Sequence, residues 1–220
     1  MKRIKTYAIV LSAIALVTMS ILGTVAYLKD SAAMKNTFTV GKVDIRLDEA
    51  IVDENGVAVG DLDQDGKKDR TETGNKYHLI PGKSYVKDPT ITIEKGSEES
   101  YVRVLVTVNC YKELCTIFEK PFLPQYLVEG LDEQVWVPMG MISEDEEANK
   151  ATYEFRYYKT VTGKEAELEL TPVFTKFFVP GTITGEELAT IANLEMDIEG
   201  HAIQATGFEN ATEAWDSFSK

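Results

Sequence analysis

Histidine, cysteine and tryptophan each occur only twice in the 220 residues, and basic side chains are scarce, with 23 lysines and arginines against 36 aspartates and glutamates. Each shortage closes a class of function. His78 and His201 are the only imidazoles, so there is no His-Glu-x-x-His helix on which two rings hold zinc while a carboxylate reaches its water. Both histidines sit in strand-like contexts, Tyr77-His78-Leu79-Ile80 and Gly200-His201-Ala202, and read as surface or edge residues. A Gly-x-Ser-x-Gly elbow and a glycine-rich phosphate loop are also absent. No residue is assigned a catalytic role, and a non-enzyme is expected. Cys110 and Cys115 are too few for a disulfide-built scaffold, which leaves two readings open: one short-loop bridge, or two buried thiols where a strand passes into a helix. The shortage of cations argues against nucleic acid, whose phosphates need a basic footprint, and against electrostatic docking on anionic lipid. No internal repeat and no linker rich in proline, glycine or serine marks a second domain.

Long apolar runs are missing too, except at the start. After Lys2, Arg3 and Lys5 comes an uncharged stretch from Thr6 to Leu28, with the small residues Thr24-Val25-Ala26 near its end. A basic start, an apolar centre and small residues at the cleavage point make a secretory signal, residues 1–26, removed after Ala26. The competing reading is a retained anchor, since a spanning helix needs about 20 residues. Ser12, Thr18, Ser20, Gly23 and Thr24 dilute the run, and no basic cluster follows it to stop transfer. The expectation is therefore a secreted, extracellular or cell-surface chain that touches the membrane only through its uncleaved signal. Without the three signal cations, 20 basic residues face 36 acidic ones, a charge of −16 that suits a protein attracting divalent cations. Residues 27–220 then form one domain with an N-terminal strand or arm over 27–47.

What the chain has in abundance is alternation. Val102, Val104, Val106 and Val108 share one parity, with Tyr101, Arg103 and Thr107 on the other, which predicts a strand with a core side and a wet side. Ile91 and Ile93 alternate with Thr90, Thr92 and Glu94; Tyr153, Phe155 and Tyr157 with Thr152, Glu154 and Arg156; Leu194, Met196 and Ile198 with Glu195, Asp197 and Glu199. In the first strand Phe38 and Val40 have one parity and Val43, Ile45 and Leu47 the other, so a bulge is expected at Gly41-Lys42. Helices are few. Thr184 and Glu187 form a capping box before Leu188 to Ala192, Asn210 and Glu213 start a last helix with Ala211, Ala214, Trp215 and Phe218 on one face, and Glu113 to Glu119 forms another. The fold class is mostly β: an antiparallel β-sandwich with a few short peripheral helices.

One acidic segment has site chemistry. In Asp61-Leu62-Asp63-Gln64-Asp65-Gly66-Lys67-Lys68-Asp69-Arg70-Thr71-Glu72, the residues Asp61, Asp63, Asp65, Asp69 and Glu72 fall at positions 1, 3, 5, 9 and 12 of a calcium loop, with Gly66 at the sharp turn. Ca2+ is a hard cation that takes 6 to 8 oxygens, and alternate carboxylates folded inward supply them. Against it stand Lys68 at an aliphatic position, the charges of Lys67 and Arg70, and the lack of flanking helices. The other reading is a solvated acidic loop, as expected for Glu144-Asp145-Glu146-Glu147.

Gly23-Thr24-Val25-Ala26-Tyr27-Leu28-Lys29-Asp30 followed by Asn36-Thr37-Phe38-Thr39-Val40-Gly41-Lys42-Val43-Asp44-Ile45 resembles the TasA/camelysin family, exported Gram-positive proteins processed by the SipW type of signal peptidase. Leu79-Ile80-Pro81-Gly82, Lys87-Asp88-Pro89-Thr90-Ile91-Thr92-Ile93, Tyr101-Val102-Arg103-Val104 and Ala202-Ile203-Gln204-Ala205-Thr206-Gly207-Phe208 continue the likeness. The resemblance implies a jelly-roll domain, a biofilm-matrix fibre built from copies of the chain, and that peptidase as processing partner. Three functions follow as expectations. The first is a fibre subunit joined by strand addition of the segment from Tyr27 to about Val40. The second is a calcium-stabilised monomeric adhesion module. The third is an exported metalloprotease of the caseinolytic camelysin kind.

Overall fold

The alternating segments pair edge to edge in three antiparallel sheets. The computed structural model describes residues 41–60 and 69–218. In chain order the strands are β1 Ile45–Ala50, β2 Arg70–Thr71, β3 Ser84–Val86, β4 Thr90–Ile93, β5 Ser100–Asn109, β6 Val128–Glu129, β7 Trp136–Asp145, β8 Lys150–Tyr157, β9 Leu168–Glu169, β10 Lys176–Phe178 and β11 Met196–Gln204. The helices are α1 Tyr111–Phe118, α2 Gly185–Thr190 and α3 Ala211–Phe218. The sheets run β2-β1-β4-β9, β3-β10-β6 and β11-β5-β8-β7. This bears out a mostly β, antiparallel sandwich with few short helices. The proposed arm from Tyr27 to Val40 lies outside the described residues.

The valine face of β5 is the centre of the core. Val102, Val104, Val106 and Val108 are all buried, and Ala151, Tyr153 and Phe155 of β8 lie beside them in register. Each fully buried side chain of this size contributes about 1.5–3 kcal/mol relative to exposure. Opposite them lie Ile91 and Ile93 of β4. The two sheets approach closely at Gly200 of β11, where a Cβ would stand 3.0 Å from Ile91 Cδ1 and 3.5 Å from Ile45 Cδ1. A side chain there would force the Ile91 side chain to shift.

The third sheet closes the end of the core with aromatic residues. Tyr85 packs edge-on against Tyr77 with ring centres 5.8 Å apart, and Phe177 lies 6.5 Å on its other side. Tyr85 also donates its hydroxyl hydrogen to the His78 carbonyl at 2.7 Å and accepts from the Ile80 N–H at 2.6 Å. Gly56, at φ +71, leaves room for that ring: a Cβ there would come within 2.4 Å of it. At another end, Phe118, Phe122, Tyr126 and Tyr153 form a contiguous ring cluster beneath α1.

The expected helices form. Thr184 and Glu187 make both hydrogen bonds of the capping box, although α2 stops at Thr190. Asn210 Oδ1 accepts from the Glu213 N–H at 3.1 Å, while the Glu213 carboxylate reaches back to the Glu209 N–H rather than closing a box. Two expectations change. The first strand is shorter than expected: β1 starts at Ile45, and Lys42 makes an isolated parallel bridge to Ser97, with the Glu98 N–H donating to its carbonyl at 2.9 Å. Phe38 and Val40, which carried the other parity, lie outside the described residues. The second change is that the wet sides are not wet throughout. Thr90 and Thr92 are buried with the isoleucines of β4, and Arg103 and Glu154 are only 7% and 4% exposed, because α3 lies over that face of β5 and β8.

Ile91→Ala should leave a cavity between the two large sheets, with a loss of about 2–5 kcal/mol measured by denaturant unfolding. The surface change Glu146→Ala should move stability by no more than about 0.5 kcal/mol.

Candidate functional site

The acidic segment is mounted on an ionic frame. Arg70 on β2 donates from Nη1 to Asp88 Oδ2 at 3.0 Å and from Nη2 to the backbone carbonyls of Asp48 and Asp88, each at 3.1 Å, while its Nε pairs with the Asp48 carboxylate. Asp88 also accepts the Ala50 N–H at 2.7 Å, which ties β1 to the turn before β4. Beside this clamp the buried Lys87 donates to Glu49 Oε2 at 2.8 Å, and Asn75 Nδ2 donates to the other Glu49 oxygen at 2.9 Å. Burial and the Glu49 charge push the Tyr77 phenol well above its ordinary pKa. An acidic chain therefore holds its own carboxylates in place with a few of its cations.

Asp61, Asp63, Asp65 and Gly66 lie outside the described residues, and Asp69 and Glu72 flank the two-residue strand β2. Both ends of the segment are held at Ile51: its carbonyl accepts the Val59 N–H at 2.8 Å, and its N–H donates to the Asp69 carbonyl at 3.0 Å. Arg70, counted against cation binding on sequence grounds, is neutralised by Asp48 and Asp88. Glu72 is exposed and lines a cleft of about 340 Å³ that has Glu49 and Thr71 on one wall and β11 residues from Met196 to Glu199 on the other. Among the described residues no three His, Cys, Asp or Glu side chains gather closely enough to hold a metal.

The long sheet β11-β5-β8-β7 has two free edges of different character. On β7 the register shifts twice, between Pro138 and Gly140 and between Met141 and Ser143. The Tyr158 N–H donates to the Val135 carbonyl at 3.0 Å, and counting along from there turns the position of Pro138, which has no N–H, toward the open side. Proline and bulges are how edges are closed to further pairing. On β11 the Ala205 N–H donates to the Glu99 carbonyl at 2.8 Å, so the alternation turns the N–H and C=O groups of Met196, Ile198, Gly200 and Ala202 away from β5. No described residue hydrogen-bonds to those groups through its backbone. This edge runs nine residues without proline and forms one wall of the cleft.

The other sequence candidates fall into structural roles. Cys110 and Cys115 are free thiols: Cys110 sits in the left-handed region at φ 53 just before α1, and Cys115 lies inside that helix. Burial, with Glu113 and Glu195 nearby, pushes the Cys110 thiol up. His78 is exposed in a loop. His201 is on the edge strand as expected but is half-covered, with its ring stacked on Phe218 at 4.9 Å and its Nδ1 accepting from Arg103 Nε at 3.2 Å. Sequence reasoning missed this covered face, since Arg103 and Glu154 read as outward residues. The apolar face of α3 was the available signal, because it had to cover something.

These features define a mostly β sandwich with an acidic segment pinned at its base and, among the described residues, one long edge free of proline and bulges. Residues 1–67 match the family model described as camelysin metallo-endopeptidase. That match covers less than half of the chain and leaves residues 68–220 uncovered. No curated protein and no solved structure matches the chain.

The Lys87–Glu49 pair gives a direct test of the frame. Lys87→Met strands a buried carboxylate and should cost about 3–5 kcal/mol in chemical denaturation, and adding Glu49→Gln should recover a large part of that loss.

Proposed function

We propose that this is a secreted, non-catalytic structural protein of the extracellular matrix or cell surface, whose copies join by adding a strand from one to the sheet of the next. The observation that carries this reading is the nine-residue β11 edge, whose outward backbone groups meet no described backbone partner. Strand addition needs such an edge on one copy and an extended apolar segment on another. The segment from Tyr27 to Val40, with Tyr27, Leu28, Met34, Phe38 and Val40, has that composition. Removal of residues 1–26 by a signal peptidase of the SipW type would free this segment, so export and assembly become one event. The TasA branch of the resemblance points the same way, toward a jelly-roll-like matrix protein, while the matched model is described as a metallo-endopeptidase.

Ca2+ is the companion proposal. The carboxylates of Asp61, Asp63, Asp65, Asp69 and Glu72 supply oxygens of the right kind, and the fixing of both ends of the segment at Ile51 gives them a common base. Binding in the weak, extracellular range would stabilise the fold and take part in no chemistry. A calcium-stabilised monomeric adhesion module shares this feature and differs only in leaving β11 unpaired.

Electron microscopy of the chain begun at Tyr27, with and without calcium, is expected to show fibres. Deleting 27–37 should abolish them, and so should Ala202→Pro, which removes an outward N–H and leaves the β5 side of the strand intact. Monomers under every assembly condition, or fibres indifferent to both changes, would overturn the reading. Casein cleavage that a chelator stops would replace it with the metalloprotease. Calorimetry should show calcium heat at about millimolar levels, with Asp61→Ala removing both the heat and the calcium-dependent rise in melting temperature.

A further inference from the structure

On the outer face of the long sheet three side chains line up across three strands: His201 opposite Arg103, and Arg103 opposite Arg156. Helix α3 covers this row. Trp215 is 3% exposed, and its ring lies 4.4 Å from the Arg103 guanidinium carbon; the Phe218 ring lies 5.2 Å from the same carbon and stacks on His201. Arg103 Nη1 also donates to Glu154 Oε1 at 3.4 Å, and Arg156 Nε donates to that oxygen at 2.8 Å.

We propose that α3 is an acid-released latch whose catch is the neutral ring of His201. Arginine has only donors, so the contact between Arg103 Nε and His201 Nδ1 exists only while Nδ1 carries no proton. Protonation sets N–H against N–H and adds a second positive charge beside Arg103, in a face where Glu154 is already shared by two arginines. The opposing pull comes from Glu199, whose carboxylate is 3.7 Å from His201 Nε2 but 68% exposed, so solvent screens it, and from the buried Glu154, whose charge Arg103 and Arg156 already share. From α3 the group shown against His201 is the Phe218 ring, while Glu213 and Asp216 of that helix are exposed.

Two further features favour release. The buried Trp215 indole N–H has no hydrogen-bond partner among the described residues, whereas water would satisfy it once α3 is released. An eight-residue helix is too short to persist alone, so release also unwinds it. Burial, together with the Arg103 charge, holds the His201 pKa below its ordinary value. The released state therefore binds the proton more tightly than the docked one. Docking is fully present above about pH 6.5, the value of a free imidazole, and is lost as pH falls through the depressed value.

Hydrogen exchange of the full chain at about pH 7.5 and about pH 5, corrected for intrinsic rates, tests the latch. Protection of the 211–218 amides is expected to fall at least about tenfold, with β5 and β8 unchanged. In His201→Gln, which keeps a neutral side chain there, protection should not vary with pH. An NMR titration of the unsubstituted protein gives an independent reading: α3 resonances should move with the midpoint of His201. Equal protection at the two pH values, equal acid loss in His201→Gln, or α3 midpoints that depart from His201 would each overturn the latch.

Discussion

The packing of both faces of β5 is the constraint on which the rest of the fold depends. Its valine face meets β4 across the core, and its other face carries Arg103 under the C-terminal helix. Because β5 is hydrogen-bonded on both sides, to β8 and β11, its register places the residues of three strands at once. A slip of one residue would exchange four valines for Tyr101, Arg103, Leu105 and Thr107 at the core. The close approach at Gly200 depends on the same register, since a Cβ there would crowd the Ile91 side chain.

Charge has a division of labour in this acidic protein. Arg46, Arg70, Lys87, Arg103 and Arg156 all bind carboxylates, and several of these contacts join strands far apart in sequence. Buried pairs of this kind add little net stability, because desolvation offsets the attraction. Their effect is on specificity: a strand that misses its partner strands a charge. Cations committed to the frame are not available to neutralise the surface, so Asp197 and Glu199 of β11 keep their field for basic segments.

Edges are the second theme. Both long free edges belong to one sheet, and only β7 carries proline and bulges. An edge left open in a natural β-protein is a liability for aggregation or a means of assembly. The asymmetry between β7 and β11 gives a direction to any growth by strand addition, since a chain with one receptive edge adds at one side only.

Much of the fold was legible in the chain. Period-2 patterns located β4, β5, β8 and β11, and capping residues located α2 and α3, because these signals depend on neighbours two to four residues apart. The candidate loop was legible as a ligand pattern, and so was the apolar face of α3. What was not legible was what lies against each strand's second face. Arg103 and Glu154 have the parity of solvent-facing residues, yet α3 from the far end of the chain covers them. The partners of Arg70 and the shared anchor at Ile51 were hidden for the same reason. Alternation by itself determined which residues point together; only the tertiary structure decided which of those faces would be dry, because burial depends on contacts between segments that the local pattern does not encode.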